Sequence, residues 1–277
     1  MPVVSVVKGP RCRETVYKSL DFLGGLKDVV ANADRVLVKI NFITAKTFET
    51  GVTSDPLVVD ALLQWFKELH GEVAVVESDS SLTSADKAYR VTGLDKVCEQ
   101  NHVKFINLRR EEAKVRLEIP DGEVLKHIVV PRIILDAAVV SLAKLKTHNE
   151  TGVTLGMKNM FGLLPDKLKF RYHLKDVNKV IVDINTVLRS RLTVIDGFYA
   201  LEGIGPISGN PVQMGLMLAG RDPVATDATA CRVMGIDPYE IYHIRRAYEK
   251  GLGEIDPARV EVVGEVITNV QKKFKRT

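Results

Sequence analysis

The segment Lys144-Leu-Lys-Thr-His-Asn-Glu-Thr-Gly-Val-Thr-Leu-Gly-Met-Lys-Asn-Met-Phe-Gly-Leu-Leu-Pro165 places Lys144, Lys146, His148, Lys158 and Asn159 among hydroxyls and glycines. Core packing does not call for that combination. Recognition of an anion does: it needs cations, hydroxyl donors, and glycines that let backbone N–H groups come close. The expected anion contacts are Lys39, Asn41, Lys144, Lys146, Thr147, Thr154, Lys158 and Asn159. A second set is acidic. Glu77 and Asp196 each end an apolar run, where an ionised carboxylate is partly desolvated and needs a partner. Together with His148 they are the candidates for proton transfer. The lysines around His148 would lower its pKa. Asp79 and Glu202 are the expected metal ligands, and an all-oxygen set favours magnesium or manganese over zinc. The competing expectation is direct neutralisation of Glu77 or Asp196 by Lys39 or Lys144.

These residues must be positioned by the elements that precede them. Short Val/Ile-rich runs, Val3 to Val7, Arg35 to Ile40, Glu72 to Glu77 and Lys104 to Leu108, read as strands. So do Asp136 to Leu142, Leu192 to Asp196, Gly215 to Ala219 and Arg259 to Val263. Asp55-Pro56 and Asp222-Pro223 each give an N-cap followed by proline at the first helical position, reason enough for both aspartates. Helical spacing follows both, and also spans 86–100, with Gly93 as a break, 175–189 and 238–250. Lys114 to Ile119 and Lys126 to Val130 alternate around the turn Pro120-Asp-Gly-Glu123 and read as a hairpin. Strands alternating with helices predict an α/β fold. Its sheet is mostly parallel, with helices on both faces and the β-hairpin inserted. One domain over residues 1–277 is the simplest organisation; the alternative is two lobes meeting near residue 145. In such a sheet ligands bind beyond the carboxyl ends of the strands, where the lysines and carboxylates fall.

Composition narrows the function classes. The chain is 45% hydrophobic and only 6% aromatic, as expected of buried parallel strands. A net charge of +4 without a basic, aromatic-interleaved stripe argues against a nucleic-acid partner. No apolar run is long enough to span a bilayer, and the first residues do not read as a signal peptide. The expected location is therefore cytoplasmic, with no membrane partner. Cys12, Cys98 and Cys231 are scattered, which predicts no iron–sulfur cluster in this chain. Cys12 reads as a helix-start residue. Gly152 to Lys158 is too short for a phosphate-binding P-loop, and Gly203 to Gly209 departs from the dinucleotide fingerprint.

Separated motifs carry a resemblance along nearly the whole chain. They include Val38-Lys-Ile-Asn41, Gly51-Val-Thr-Ser-Asp-Pro56, Val75-Val-Glu-Ser78, Lys144-Leu-Lys-Thr-His148 and Gly152-Val-Thr-Leu-Gly-Met-Lys-Asn-Met-Phe-Gly162. Ile195-Asp-Gly197, Glu202-Gly-Ile-Gly-Pro206 and Asp222-Pro-Val-Ala-Thr-Asp227 complete the set. In these the chain resembles the domain-of-unknown-function 362 family. Many similar proteins carry an added ferredoxin-like segment with iron–sulfur clusters, and the resemblance implies a redox partner protein. Two functions are expected from the residues. The first is an enzyme acting on a small phosphate- or carboxylate-bearing molecule at the sheet rim. The alternative is a non-catalytic ligand or cofactor carrier serving a redox partner.

Overall fold

The computed structural model describes residues 1–166 and 169–276. Its strands are β1 (Val3–Lys8), β2 (Arg35–Lys39), β3 (Val73–Glu77), β4 (Lys104–Asn107), β5 (Lys114–Glu118) and β6 (His127–Pro131). The remainder are β7 (Ala137–His148), β8 (Gly152–Thr154), β9 (Leu192–Glu202), β10 (Asn210–Gly220) and β11 (Glu261–Gly264). The main sheet runs β11-β1-β10-β9-β7-β2-β3-β4, with β8 added to β7. Only β10 and β8 run against the other strands. The architecture is thus the expected α/β sheet, mostly parallel, with β5 and β6 as the separate antiparallel hairpin.

Side chains alternate across the sheet. Val36, Val38, Val140, Leu142 and Val194 pack against the helices Arg13–Asp21 and Pro56–Leu69. Leu37, Val76 and Val139 face the other way, against the hairpin and the helix Val177–Val187. Further along that second face, Leu145, Ile195 and Leu218 meet the helices Pro223–Val233 and Tyr242–Glu249. The hairpin is held down by Asp183, whose buried carboxylate accepts from the backbone N–H of Glu123, Val124 and Leu125 at 2.8–2.9 Å. The capping signals hold. Asp55 accepts from Leu57 N, Asp222 from Val224 N and Ala225 N, and Cys12 is the N-cap of its helix. Gly93, at φ 77°, separates Ala85–Val91 from Leu94–Gln100.

Three strands outrun their sequence signals. β7 was expected to stop at Leu142 and runs to His148; β9 and β10 also extend beyond their apolar runs. Hydrophobicity marks only the part of a strand that lies in the apolar core. Past Ser141, β7 leaves the end of β2, and β8 takes its place in antiparallel register, Lys146 opposite Thr154 and His148 opposite Gly152. The backbone thus stays paired while the side chains turn polar. Residue 145, the expected meeting point of two lobes, lies inside this strand.

Candidate functional site

The carboxyl ends of β2, β3 and β7 open on a cavity of about 380 Å³. Lys39, Lys146, Lys158 and Lys169 all line it, as do His148, His173, Thr154 and Phe161. The chain places them by different routes. Lys39 is the last residue of β2 and Glu77 the last of β3, and these strands are parallel neighbours. Lys146 and His148 come from the projecting half of β7. Lys158 stands on the short helix Gly156–Asn159, folded back from β8. Lys169 precedes the short helix Phe170–His173.

The four lysines differ in how far the protein already satisfies them. A lysine ammonium has three N–H donors. Lys39 uses all three, on Glu77 Oε2 at 2.8 Å, Ile40 O at 2.5 Å and Asn159 Oδ1 at 3.1 Å. Lys146 uses two, on Asn41 Oδ1 and Val52 O, both at 2.8 Å and both neutral. Lys169 uses one, on Ser78 Oγ at 2.5 Å. Lys158 uses none among the described residues; its Nζ lies 5.5 Å from the centre of the Phe161 ring. Of the four, only Lys39 has a carboxylate at ion-pairing distance among the described residues.

Burial and mutual repulsion act on these cations together. Desolvation, followed by the charges of Lys158 and Lys144, holds the Lys146 pKa well below the usual lysine value. Burial lowers Lys158 to about 8, with the nearby Glu150 charge opposing the shift. Burial lowers Lys169 to about 8 as well, opposed by Glu77. Lys158 is enclosed by protein, yet part of its surface faces the cavity. His148 is pushed down to about 2, first by burial and then by Lys158 and Lys146. Its Nδ1 accepts from the N–H groups of Glu150 and Thr151, so Nε2 carries the hydrogen. In this arrangement His148 is a neutral donor through Nε2, its charged form disfavoured by burial and by the neighbouring lysines.

Several other expected contacts prove to be internal. Lys144 and Asp196 form an ion pair at 2.8 Å with both side chains at 0% exposure, away from the cavity. Asp196 also accepts from the N–H groups of Asp55 and Phe198, so it ties β9 to the start of the helix Pro56–Leu69. Thr147 donates to Gly203 O at 2.9 Å and pins the 203–207 loop, which covers one side of the cavity with Pro206 and Ile207. A Cβ at Gly205 would stand 1.9 Å from Thr147 O, so that crossing requires glycine. Asn159 joins β2, β7 and its own helix: its Oδ1 accepts from Lys39 and Asn41, and its Nδ2 donates to Lys39 O, Ser141 Oγ and Leu142 O. Asn41 donates to Asn159 and accepts from Lys146, and both asparagines still line the cavity. Thr154 lines the cavity, and its buried hydroxyl has no partner among the described residues.

The carboxylates do not converge. Glu77 accepts from Lys39, Phe42 N and Ser78 N. Asp79 is held by Arg109 at 2.9 Å, Asn107 and Ala85 N, and Glu202 accepts from Lys275 N. Among the described residues, no three His, Cys, Asp or Glu side chains are grouped to hold a metal ion. Direct pairing, the competing expectation, is what the structure shows for Lys39–Glu77 and Lys144–Asp196.

A model of the family described as "Domain of unknown function (DUF362)" matches residues 36–232. The chain belongs to that family. A thylakoid-associated protein of Synechocystis sp. is 29% identical over 229 residues, which cover 80% of this chain and 70% of the relative. No solved structure matches. No helix among the described residues is long and apolar enough to cross a membrane.

The matched family segment includes Asp227, the last residue of the Asp222-Pro-Val-Ala-Thr-Asp227 motif. Its carboxylate accepts from the N–H groups of Gly156 and Met157 at 2.7 and 2.8 Å. The glycine-exposed amides expected to cradle an external anion thus cradle an internal one. Gly156 is needed there, since its Cβ would lie 2.3 Å from Thr193 Cγ2. Lys169 and the Glu150–His173 pair at 2.6 Å also line the cavity. Lys169 carried no signal, because a lysine-rich stretch reads as a solvated face. Glu150 and His173 lie 23 residues apart, and no spacing rule connects them.

Proposed function

We propose that the protein is an enzyme acting on a small phosphate- or carboxylate-bearing molecule bound among Lys146, Lys158 and Lys169. One observation carries this reading: three lysines share a cavity without a carboxylate at ion-pairing distance from any of them among the described residues. Burying ammonium groups without counter-charge is costly. A ligand anion would remove that cost, raise the depressed lysine pKa values and fill the open N–H positions. His148 Nε2 and the Thr154 hydroxyl are neutral donors for the same ligand. The Glu150–His173 pair is the proton-transfer group, with the carboxylate orienting the imidazole at Nδ1. Lys39 and Glu77 support the floor. Magnesium or manganese enters this reading only as a counter-ion brought in with the anion, since Asp79 and Glu202 are committed elsewhere.

The test is calorimetric titration with inorganic phosphate and with a dicarboxylate. Lys158→Ala should weaken binding by about 1–3 kcal/mol, the scale of a lost charge-assisted hydrogen bond. Unchanged affinity in that variant would reject the reading. Native mass spectrometry of the purified protein separates enzyme from carrier: a carrier retains its ligand without converting it.

A further inference from the structure

Lys158 differs from its three neighbours in having no hydrogen bond within the described protein. An ammonium placed there for structure would have an acceptor, as Lys39, Lys146 and Lys169 do. Lys158 has none among the described residues. Glu150, the one acidic group acting on it from nearby, is bonded to His173. The amine is also held against the Phe161 face, which Lys169 approaches to 5.7 Å. It therefore shares an aromatic wall with a second cation and lines the cavity.

Resting on the anion-site reading above, we propose that Lys158 is an amine nucleophile, and that the substrate is an anionic carbonyl compound such as an oxo acid or a phosphorylated aldehyde or ketone. The neutral amine nitrogen attacks the carbonyl carbon, forming a C–N bond while the π electrons move to oxygen. Both amine hydrogens leave with that oxygen as water, and a C=N bond remains. No oxidant or external reductant is needed. Lys146 and Lys169 hold the carboxylate or phosphate, which places the carbonyl toward Lys158. His173, oriented by Glu150, takes one of the amine hydrogens from the nitrogen as a proton and passes it to the departing oxygen, and so ends as it began. The depressed basicity of Lys158 keeps a fraction of the amine unprotonated near neutral pH, as imine-forming lysines require.

The experiment incubates the intact protein with pyruvate, or with dihydroxyacetone phosphate, and adds sodium borohydride. Mass spectrometry then reads the covalent product. The expected result with pyruvate is a mass gain equal to pyruvic acid less one oxygen atom, mapped to the peptide containing Lys158. Labelling there should fall about tenfold or more in Lys158→Arg, since guanidinium stays charged and is not a nucleophile. It should persist in Lys175→Arg, an exposed lysine outside the cavity lining. Phosphate calorimetry on the same samples distinguishes the two failures. If phosphate binds and neither carbonyl compound is trapped at Lys158, the imine proposal falls and the anion site stands. If label appears equally in Lys158→Arg, the nucleophile is elsewhere and the proposal falls. If phosphate does not bind and nothing is trapped, both readings fall.

Discussion

Replacing Glu77 with Gln tests the arrangement of charges around the cavity with almost no change of shape. The native carboxylate accepts from Lys39 and Phe42 N through Oε2 and from Ser78 N through Oε1. A carboxamide has one oxygen, so one of its ends must present N–H to a donor. With its oxygen toward Lys39, Ser78 N–H is left buried and unmet, at a cost of about 1–3 kcal/mol. Lys39, 1% exposed, also loses its counter-charge while the other cavity lysines remain. Removing one partner of a buried ion pair costs about 3–5 kcal/mol, and that range includes the amide mismatch. For a chain of this size the melting temperature should fall by roughly 10 °C. The pH dependence gives a sharper test. Burial already lowers the Lys39 pKa, and Glu77 opposes the shift, so Glu77→Gln lowers it further. Between that lowered value and the ordinary lysine value, the unfolded chain binds a proton that the folded one does not. Stability from this group therefore rises with pH across that window. The deficit of Glu77→Gln against the native protein should shrink from pH 7 to pH 9 in thermal melts. A loss below about 1 kcal/mol, the scale of an exposed pair, or a deficit that grows with pH, would refute the argument.

Phosphate binding should weaken above pH 8, because Lys158 and Lys169, both lowered to about 8, lose the protons that attract the anion; calorimetry in buffers of different ionisation heat should show proton uptake on binding at pH 8.5, and none would count against it. Asp227→Ala should cost about 1–3 kcal/mol of stability, since two buried N–H groups lose their acceptor, and denaturant unfolding reads this. Gly162→Ala would bring a Cβ to 2.4 Å from Lys39 Nζ and 2.5 Å from Glu77 Oε1; overpacking should cost about 1–3 kcal/mol, and melting curves matching the native protein would show that the turn yields freely.

The sequence alone determined the layers of this protein and the ends of its helices. Val/Ile runs of strand length, Asp-Pro caps and one alternating hairpin are local signals, set by side-chain burial and by which residues can satisfy the first turn of a helix. They were enough to place Lys39, Glu77, Lys146 and Lys158 near one rim of the sheet. Tertiary structure alone decided which of these charges remain available. Lys144 and Lys146 differ by two positions and have the same side chain, yet one is neutralised by Asp196 across β9 and the other meets only neutral oxygens. Asp227 and Asp196 are both buried carboxylates, but one caps the helix that carries Lys158 and the other lies out of its reach. Such outcomes depend on strand register and on contacts between residues far apart in the chain, such as Lys39 with Asn159 or Glu150 with His173. Whether a charge is spent or free follows from the distance to its partner, and folding sets that distance.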